Sequence, residues 1–185
     1  MLRPRPFTQP HPLLLRAVGS EASTIKLAKT GRPFLLAGPA EIALARAELI
    51  RRTMRESGFT EAHIDRAFAQ SWVWQHVVVA ESDREAHERG MAAVRAYIDY
   101  RDALGLKSTL ADIVRAGIAH GGPPRGCIFG TPVTVAEQLR VFDKAGLGGL
   151  ILRFDIGPHA EAMSRTSLEL FAREVAPRLR VAAAP

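Results

Sequence analysis

One cysteine, Cys127, stands in 185 residues, and aromatic residues make up only 6%. A lone thiol excludes an internal disulfide and any cysteine-based zinc cluster. It fits a reducing compartment, and Cys127 is expected to be a buried, inert thiol. No apolar run approaches the roughly 20 residues that a bilayer-crossing helix needs, so no membrane partner is expected. The basic start Met1-Leu2-Arg3-Pro4-Arg5-Pro6 has no apolar segment behind it, because Pro10, His11 and Pro12 interrupt. No secretory signal is therefore expected, and a cytoplasmic location is. There is no phosphate loop ending in Gly-Lys-Ser/Thr, no Gly-x-Gly-x-x-Gly and no Gly-x-Ser-x-Gly. Those absences argue against nucleotide hydrolysis, a Rossmann-type dinucleotide site and a serine-hydrolase elbow. His11, His63, His87, His120 and His159 are dispersed without metal-ligand spacing, so no metal site is expected.

Apolar residues at 47% and charged residues at 24% are ordinary for a globular protein, and the length suits one domain. The formal charge of +6 is spread among helices that also carry glutamates, as in Glu48-Leu49-Ile50-Arg51-Arg52 and Glu85-Ala86-His87-Glu88-Arg89. Solvated helix faces account for that pattern, and no nucleic-acid partner is expected.

Apolar runs alternate with amphipathic ones. After a Pro-rich, extended lead-in over 1–12, Leu13 to Val18 reads as a buried strand ended by Gly19. Ser20 opens a helix that Gly31 closes, and Pro33 to Ala37 is a second strand. A long helix follows to Gly58, with Ile42, Ala45, Leu49 and Met54 expected on its inner face. Thr60 caps a short helix, and Trp72 to Ala80, rich in valine and aromatics, is the third strand. Ser82-Asp83-Arg84-Glu85 has capping-box spacing and starts a helix to about Leu104, and Ser108 opens another to about Ile118. His120 to Gly126 is loop. Thr131, with Pro132 at the first helical position, begins a helix that Gly146 ends. Leu150 to Phe154 is the fourth strand, followed by a closing helix from Ser167 to Pro177 and a tail over 179–185.

Strands alternating with helices imply right-handed crossovers and an α/β fold with a parallel sheet. Four such units over 13–178 amount to half of a (β/α)₈ barrel. A half-barrel leaves two sheet edges and the apolar inner face of its strands uncovered, so a second copy, the other half or some other cover is expected.

Three places can carry chemistry. Gly19-Ser20-Glu21-Ala22-Ser23-Thr24 follows the first strand and enters a helix, where unpaired amides and the positive helix end favour an anion. Ser20 and Ser23, at N-cap and N3, either turn toward such an anion or only cap the helix. Gly130-Thr131-Pro132 offers the same two readings, with capping preferred. In Trp72-Val73-Trp74-Gln75-His76, alternation puts Trp72, Trp74 and His76 on one face and Val73 and Gln75 on the other. That aromatic face is expected to pack against helices, although it could line a pocket for an isoalloxazine ring or a substrate. His76 is expected to be a hydrogen-bonded structural residue.

In their order and spacing these segments resemble the C-terminal half of the luciferase-like monooxygenases, flavin-dependent oxidoreductases related to bacterial luciferase. Four stretches carry the likeness: Gln9-Pro10-His11-Pro12 before the first strand; Ser20 to Thr24 through Gly31-Arg32-Pro33; Phe129-Gly130-Thr131-Pro132 to Leu139; and Leu152-Arg153-Phe154-Asp155 with Leu168-Glu169-Leu170-Phe171 to Pro177. The resemblance implies a TIM-type barrel and reduced flavin mononucleotide (FMN), with deazaflavin F420 as a variant. It implies a phosphate held at Gly19, Ser20 and Ser23, and O₂ plus a small carbonyl, amine or sulfur compound as substrates. A flavin reductase would be the partner supplying reduced cofactor. The family's first four strands, which usually provide a catalytic histidine and a basic clamp on the phosphate, have no counterpart here, so no catalytic residue is assigned. A truncated, non-catalytic scaffold that binds flavin weakly, or assembles with itself or a partner, is the alternative.

Overall fold

The computed structural model describes residues 7, 12–106, 126–157 and 161–180. The helix expected from Ser108 and the loop from His120 to Arg125 lie outside the described residues.

Five parallel strands form one sheet: β1 (Arg16–Ala17), β2 (Phe34–Ala37), β3 (Trp72–Val79), β4 (Cys127–Gly130) and β5 (Gly149–Arg153). Between and after them run α1 (Glu21–Ala28), α2 (Ala40–Glu56), α3 (Glu61–Ala69), α4 (Asp83–Ala103), α5 (Pro132–Lys144) and α6 (Glu161–Leu170). A π-helical turn over Phe171–Val175 joins α6 to the short α7 (Ala176–Arg180). The expected four strands are β1, β2, β3 and β5, and they lie side by side in chain order, as consecutive barrel strands do.

β4 is an addition that periodicity did not reveal, because Cys-Ile-Phe-Gly is too short a run to read as a strand. The registers place it. Both β2 and β5 pair with Trp72, Val73 and Trp74, so they take opposite edges of β3. Both β4 and β5 pair with His76, so β4 shares an edge with β2. β2 and β4 thus line up end to end along the eight-residue β3, and a Cβ on Gly126 would lie 3.2 Å from the Cα of Gly38.

The first strand is shorter than expected. Only Arg16 and Ala17 pair, and Leu13 and Leu14 are exposed, because an edge position offers the run a partner on one side alone. In α2 the buried stripe is Ala43, Ala47, Ile50 and Met54, not the expected Ile42, Ala45 and Leu49; only Met54 was placed correctly. Alanines on that stripe let α2 approach α1 and the sheet closely.

Alternation along β3 divides the core in two. Val73, Val77 and Val79 join Phe34, Leu36, Ile50, Phe68, Leu139 and Phe142 beneath the outer helix layer. Phe34 and Phe68 meet edge to face at 5.1 Å. Val78 and Phe129 point to the other face, where Ala86, Met91, Val94 and Ile98 of α4 cover them. The carboxyl end of the inner face is therefore covered from within this chain. Nearer the amino end Trp72 and Ile151 are each 37% exposed, and among the described residues the outer edges of β1 and β5 are unpaired.

Three buried polar side chains, Ser71, Gln75 and Ser167, are matched to backbone. Ser71 accepts from the Phe34 amide at 3.0 Å, Gln75 Nε2 donates to the Gly38 carbonyl at 2.8 Å, and Ser167 accepts from the Val79 amide at 2.8 Å. Each such bond ties one element to the next where an orphaned amide or carbonyl would cost on the order of 1–3 kcal/mol.

Candidate functional site

Gly19 ends β1, and Ser20 enters α1 in extended backbone (φ −120, ψ 159) as its N-cap. The Ser23 amide donates to Ser20 Oγ at 3.2 Å, and the Ser20 amide donates to Ser23 Oγ at 3.1 Å. The two hydroxyls are 3.1 Å apart, and Ser23 Oγ donates to the Ser20 carbonyl at 2.8 Å. The pair is a reciprocal capping box built from two serines. It uses the amides of Ser20 and Ser23. The amides of Glu21 and Ala22 occupy first-turn positions that have no intrahelical acceptor.

A residue that sequence reading passed over stands beside this turn. Arg46, half-buried on α2, donates from Nη2 to the Gly19 carbonyl at 2.7 Å and from Nη1 to the Ala37 carbonyl at 3.4 Å. Its guanidinium spans the carboxyl ends of β1 and β2. Nothing in Glu41 to Ile50 marks Arg46 out from the other arginines. Only the fold brings it to Gly19.

Thr131 caps α5 as expected, accepting from the Thr134 amide at 3.3 Å. Its own amide donates to Asp83 Oδ1 at 2.8 Å, and that bond, with further ones to Thr134 and Thr131, holds the Asp83 carboxyl below its ordinary range. The helix start is thus already supplied with a carboxylate, and its role is to clamp α4 to α5.

The aromatic row on β3 lies as alternation requires, but it does not pack against the outer helices. Val73 and Gln75 take that position; Trp74 and His76 face the inner side with rings 5.0 Å apart. His76 also departs from expectation. Its Nδ1 is sealed from solvent with no hydrogen-bond partner among the described residues. Burial, together with the positive charge of Arg153, pushes its pKa down to about 4, so the ring is neutral near pH 7. A narrow slot of about 40 Å³ runs among Trp74, His76, Tyr97, Cys127, Arg153 and Ile156. It shares Trp74, Arg153 and Gly157 with an open basin of about 970 Å³ walled by Ile151, Ser164 and Leu168. Cys127 in the slot wall is half-buried, and burial pushes its thiol pKa up to about 12.

The arginines are placed as the scattered pattern implied. Arg52 pairs with Glu56, Arg84 with Glu88, and Arg89 with Glu85 one turn apart on exposed helix faces. No described helix is long and apolar enough to cross a membrane, and no cluster of described residues could hold a metal ion.

Among solved structures the chain is similar to monooxygenase RslO1 from Streptomyces bottropensis, at 23% identity and a TM-score of 0.62, over 95% of this chain and 50% of that one. It is similar to the oxygenating constituent of 3,6-diketocamphane monooxygenase from Pseudomonas putida, a type II Baeyer-Villiger monooxygenase in complex with FMN. There the identity is 21% and the TM-score 0.56, over 89% of this chain and 48% of that one. A third likeness is to the coenzyme F420-dependent tetrahydromethanopterin reductase from Methanopyrus kandleri, at 15% identity and a TM-score of 0.50, over 88% and 50%. The fold is that of the luciferase-like monooxygenases. The chain spans about half the length of the structures it matches. No protein-family model matches it, and no curated protein does.

Proposed function

We propose that this chain is the C-terminal half of a flavin-dependent, monooxygenase-like oxidoreductase that oxidises a small organic substrate with O₂ and reduced FMN. A separate flavin reductase would supply the reduced cofactor. The observation that carries this reading is the turn at Gly19, Ser20 and Ser23. It lies at the carboxyl end of a parallel strand, opens a helix, and has the Arg46 guanidinium 2.7 Å from the Gly19 carbonyl.

The residues present fit a phosphate monoester. The free first-turn amides donate, the Ser20 hydroxyl can exchange its weak 3.1 Å bond with Ser23 for a phosphate oxygen, and Arg46 adds a cation. Bound reduced flavin would supply the reaction with O₂. The chain's own part is to fix the phosphate, to orient the ring against the inner face of the sheet, and to exclude water there. In similar folds FMN occurs in one complex and F420 serves another enzyme, so both cofactors suit the reading.

The test compares FMN, riboflavin and F420 by equilibrium binding. FMN is expected to bind more tightly than riboflavin, which lacks the phosphate, and Arg46→Ala is expected to remove most of that preference. Equal affinity for FMN and riboflavin would overturn the phosphate assignment.

A second reading, a non-catalytic scaffold that assembles with a partner or with itself, is favoured by the uncovered amino-terminal part of the inner face at Trp72 and Ile151 and by the unpaired edges of β1 and β5. Light scattering on the isolated chain separates it: a stable monomer with a cooperative melt contradicts the need for a cover.

A further inference from the structure

β1 and β5 run in the same direction at opposite ends of the sheet, and among the described residues neither has a partner on its outer side. A twofold axis parallel to the strands preserves every strand direction. In one operation it sets β1 of a second copy parallel to β5, and β5 of that copy parallel to β1. The four strands β1, β2, β3 and β5 of each copy then close into one ring with no edge left over. The registers fix where the edges meet. Ala17, Leu35, Trp72 and Gly149 form one row across the sheet. A parallel barrel of eight strands returns to its first strand about eight residues out of step, so half a circuit shifts the row by about four. Shifted one way, the row reaches Leu13 of the second copy. Shifted the other way it reaches Glu21, which is inside α1 and cannot pair.

The shift to Leu13 sets residues 13–17 of one copy beside the five-residue β5 of the other. Alternation then sorts the side chains. Ala17 shares its row with Trp72 on the inner face, so Leu13 falls on that face and Leu14 on the outer one. Leu14, 59% exposed in the single chain, meets Leu150 of the second copy. Leu150 borders a groove of about 220 Å³ walled by Leu139, Phe142, Leu147 and Leu179, which takes an aliphatic side chain. Leu13, 55% exposed, meets Gly149, over which the Trp72 indole lies so closely that a Cβ there would be 2.7 Å from the ring. Each exposed leucine thus has an apolar receptor on the other edge at the same register. The offset also accounts for the shortness of β1. Its apolar start lies beyond Phe34, the first residue of β2, and finds a partner strand only on a second copy.

We infer that the chain pairs with a second copy of itself through β1 and β5, residues 13–17 of each copy adding a parallel strand to β5 of the other. The inference deepens the self-assembling reading given above and rests on it. Closure covers Trp72 and Ile151, the exposed part of the inner face.

Light scattering on the intact chain is expected to give twice the chain mass. Leu14→Lys changes a side chain that is exposed in the single chain, so its circular dichroism spectrum is expected to match the wild type. Its dimer dissociation constant is expected to rise at least about tenfold, the loss of one buried leucine at each seam. The register has a test of its own. Ala17→Cys combined with Arg153→Cys sets two thiols side by side across the seam, and mild oxidation is expected to link two copies covalently on a non-reducing gel. Leu13→Cys combined with Arg153→Cys leaves them about 13 Å out of step along the strands and is expected not to link. Cys127 is present in both variants, so the second also measures its background. A monomeric wild type would overturn the self-assembling reading and this inference together, and would leave a different polypeptide as the cover. A dimer that Leu14→Lys leaves intact, or that links no better through 17 and 153 than through 13 and 153, would keep self-assembly and overturn these two edges as its seam. No readout involves flavin, so the proposed cofactor site stands or falls separately.

Discussion

His76 and Arg153 are in-register partners on β3 and β5, and both side chains leave the sheet on its inner face. The guanidinium and the burial of the ring act in the same direction, holding the folded-state pKa of His76 at about 4 against an ordinary value of 6.5. The carboxylate of Asp155, which opposes them, is engaged by Arg153 itself.

An acid-labile fold follows. In the unfolded chain His76 takes up a proton near pH 6.5; the folded chain resists until about pH 4. Between those values the unfolded state binds more protons, so stability is complete above the higher pH and is lost as pH falls through the window. The difference corresponds to about 3 kcal/mol, as an order of magnitude. Urea melts at pH 7 and pH 4.5 should show the loss in the wild type and a much smaller one in His76→Leu. Equal losses in the two proteins would remove His76 as the cause.

Asp83 gives a separate, more acidic effect. Its carboxyl is held below 3.8 by the Thr131 amide, so the clamp between α4 and α5 is complete above that pH and is released as pH falls through the lower folded value. Asp83→Ala is expected to lower the melting temperature at pH 7, and its difference from the wild type is expected to shrink as pH falls below 3.8. A variant melting like the wild type at pH 7 would show the clamp to be idle.

Gly148 is the glycine where a side chain has least room. A Cβ there would fall 1.7 Å from the Ala69 carbonyl oxygen, a backbone atom that cannot swing aside. Its amide also donates to the Ser71 carbonyl at 3.0 Å, pinning the start of β5 to the end of α3. Gly148→Ala is expected to cost more than about 2 kcal/mol, as overpacking against fixed backbone does. Gly19→Ala meets nothing within 4 Å and serves as the tolerated control. Paired chemical melts decide it, and similar midpoints would refute the steric argument.

The parts of the fold that sequence made legible are those where one residue type has one local use. Ser20, Thr60, Ser82 and Thr131 each cap the helix expected of them, and Gly31, Gly58 and Gly146 adopt the left-handed φ that ends one. Strand alternation at Val73, Trp74, Gln75 and His76 was equally plain, since a period of two leaves no choice of face. What lay behind each face was not plain. Whether Trp74 meets a helix or a cavity depends on where α4 folds, and α4 crosses to the inner face for reasons of tertiary packing around Phe129. The same limit hid Arg46, whose partners Gly19 and Ala37 become neighbours only when β1 and β2 pair.

The two serines at α1 allow stability and binding to be separated. As a capping box they satisfy each other in the free chain, so Ser20→Ala is expected to lower stability by about 1 kcal/mol whether or not any anion binds. If the same hydroxyls also meet a phosphate, Ser20→Ala with Ser23→Ala weakens FMN by about 1–3 kcal/mol while riboflavin affinity stays nearly constant. Arg46→Ala, which leaves the capping box intact, should reproduce the binding loss without the loss attributable to the cap. Measuring all three variants by thermal melt and by cofactor titration gives two columns that a purely structural turn would make proportional. A stability loss in the serine variants with unchanged FMN affinity would leave the turn as a helix cap and nothing more.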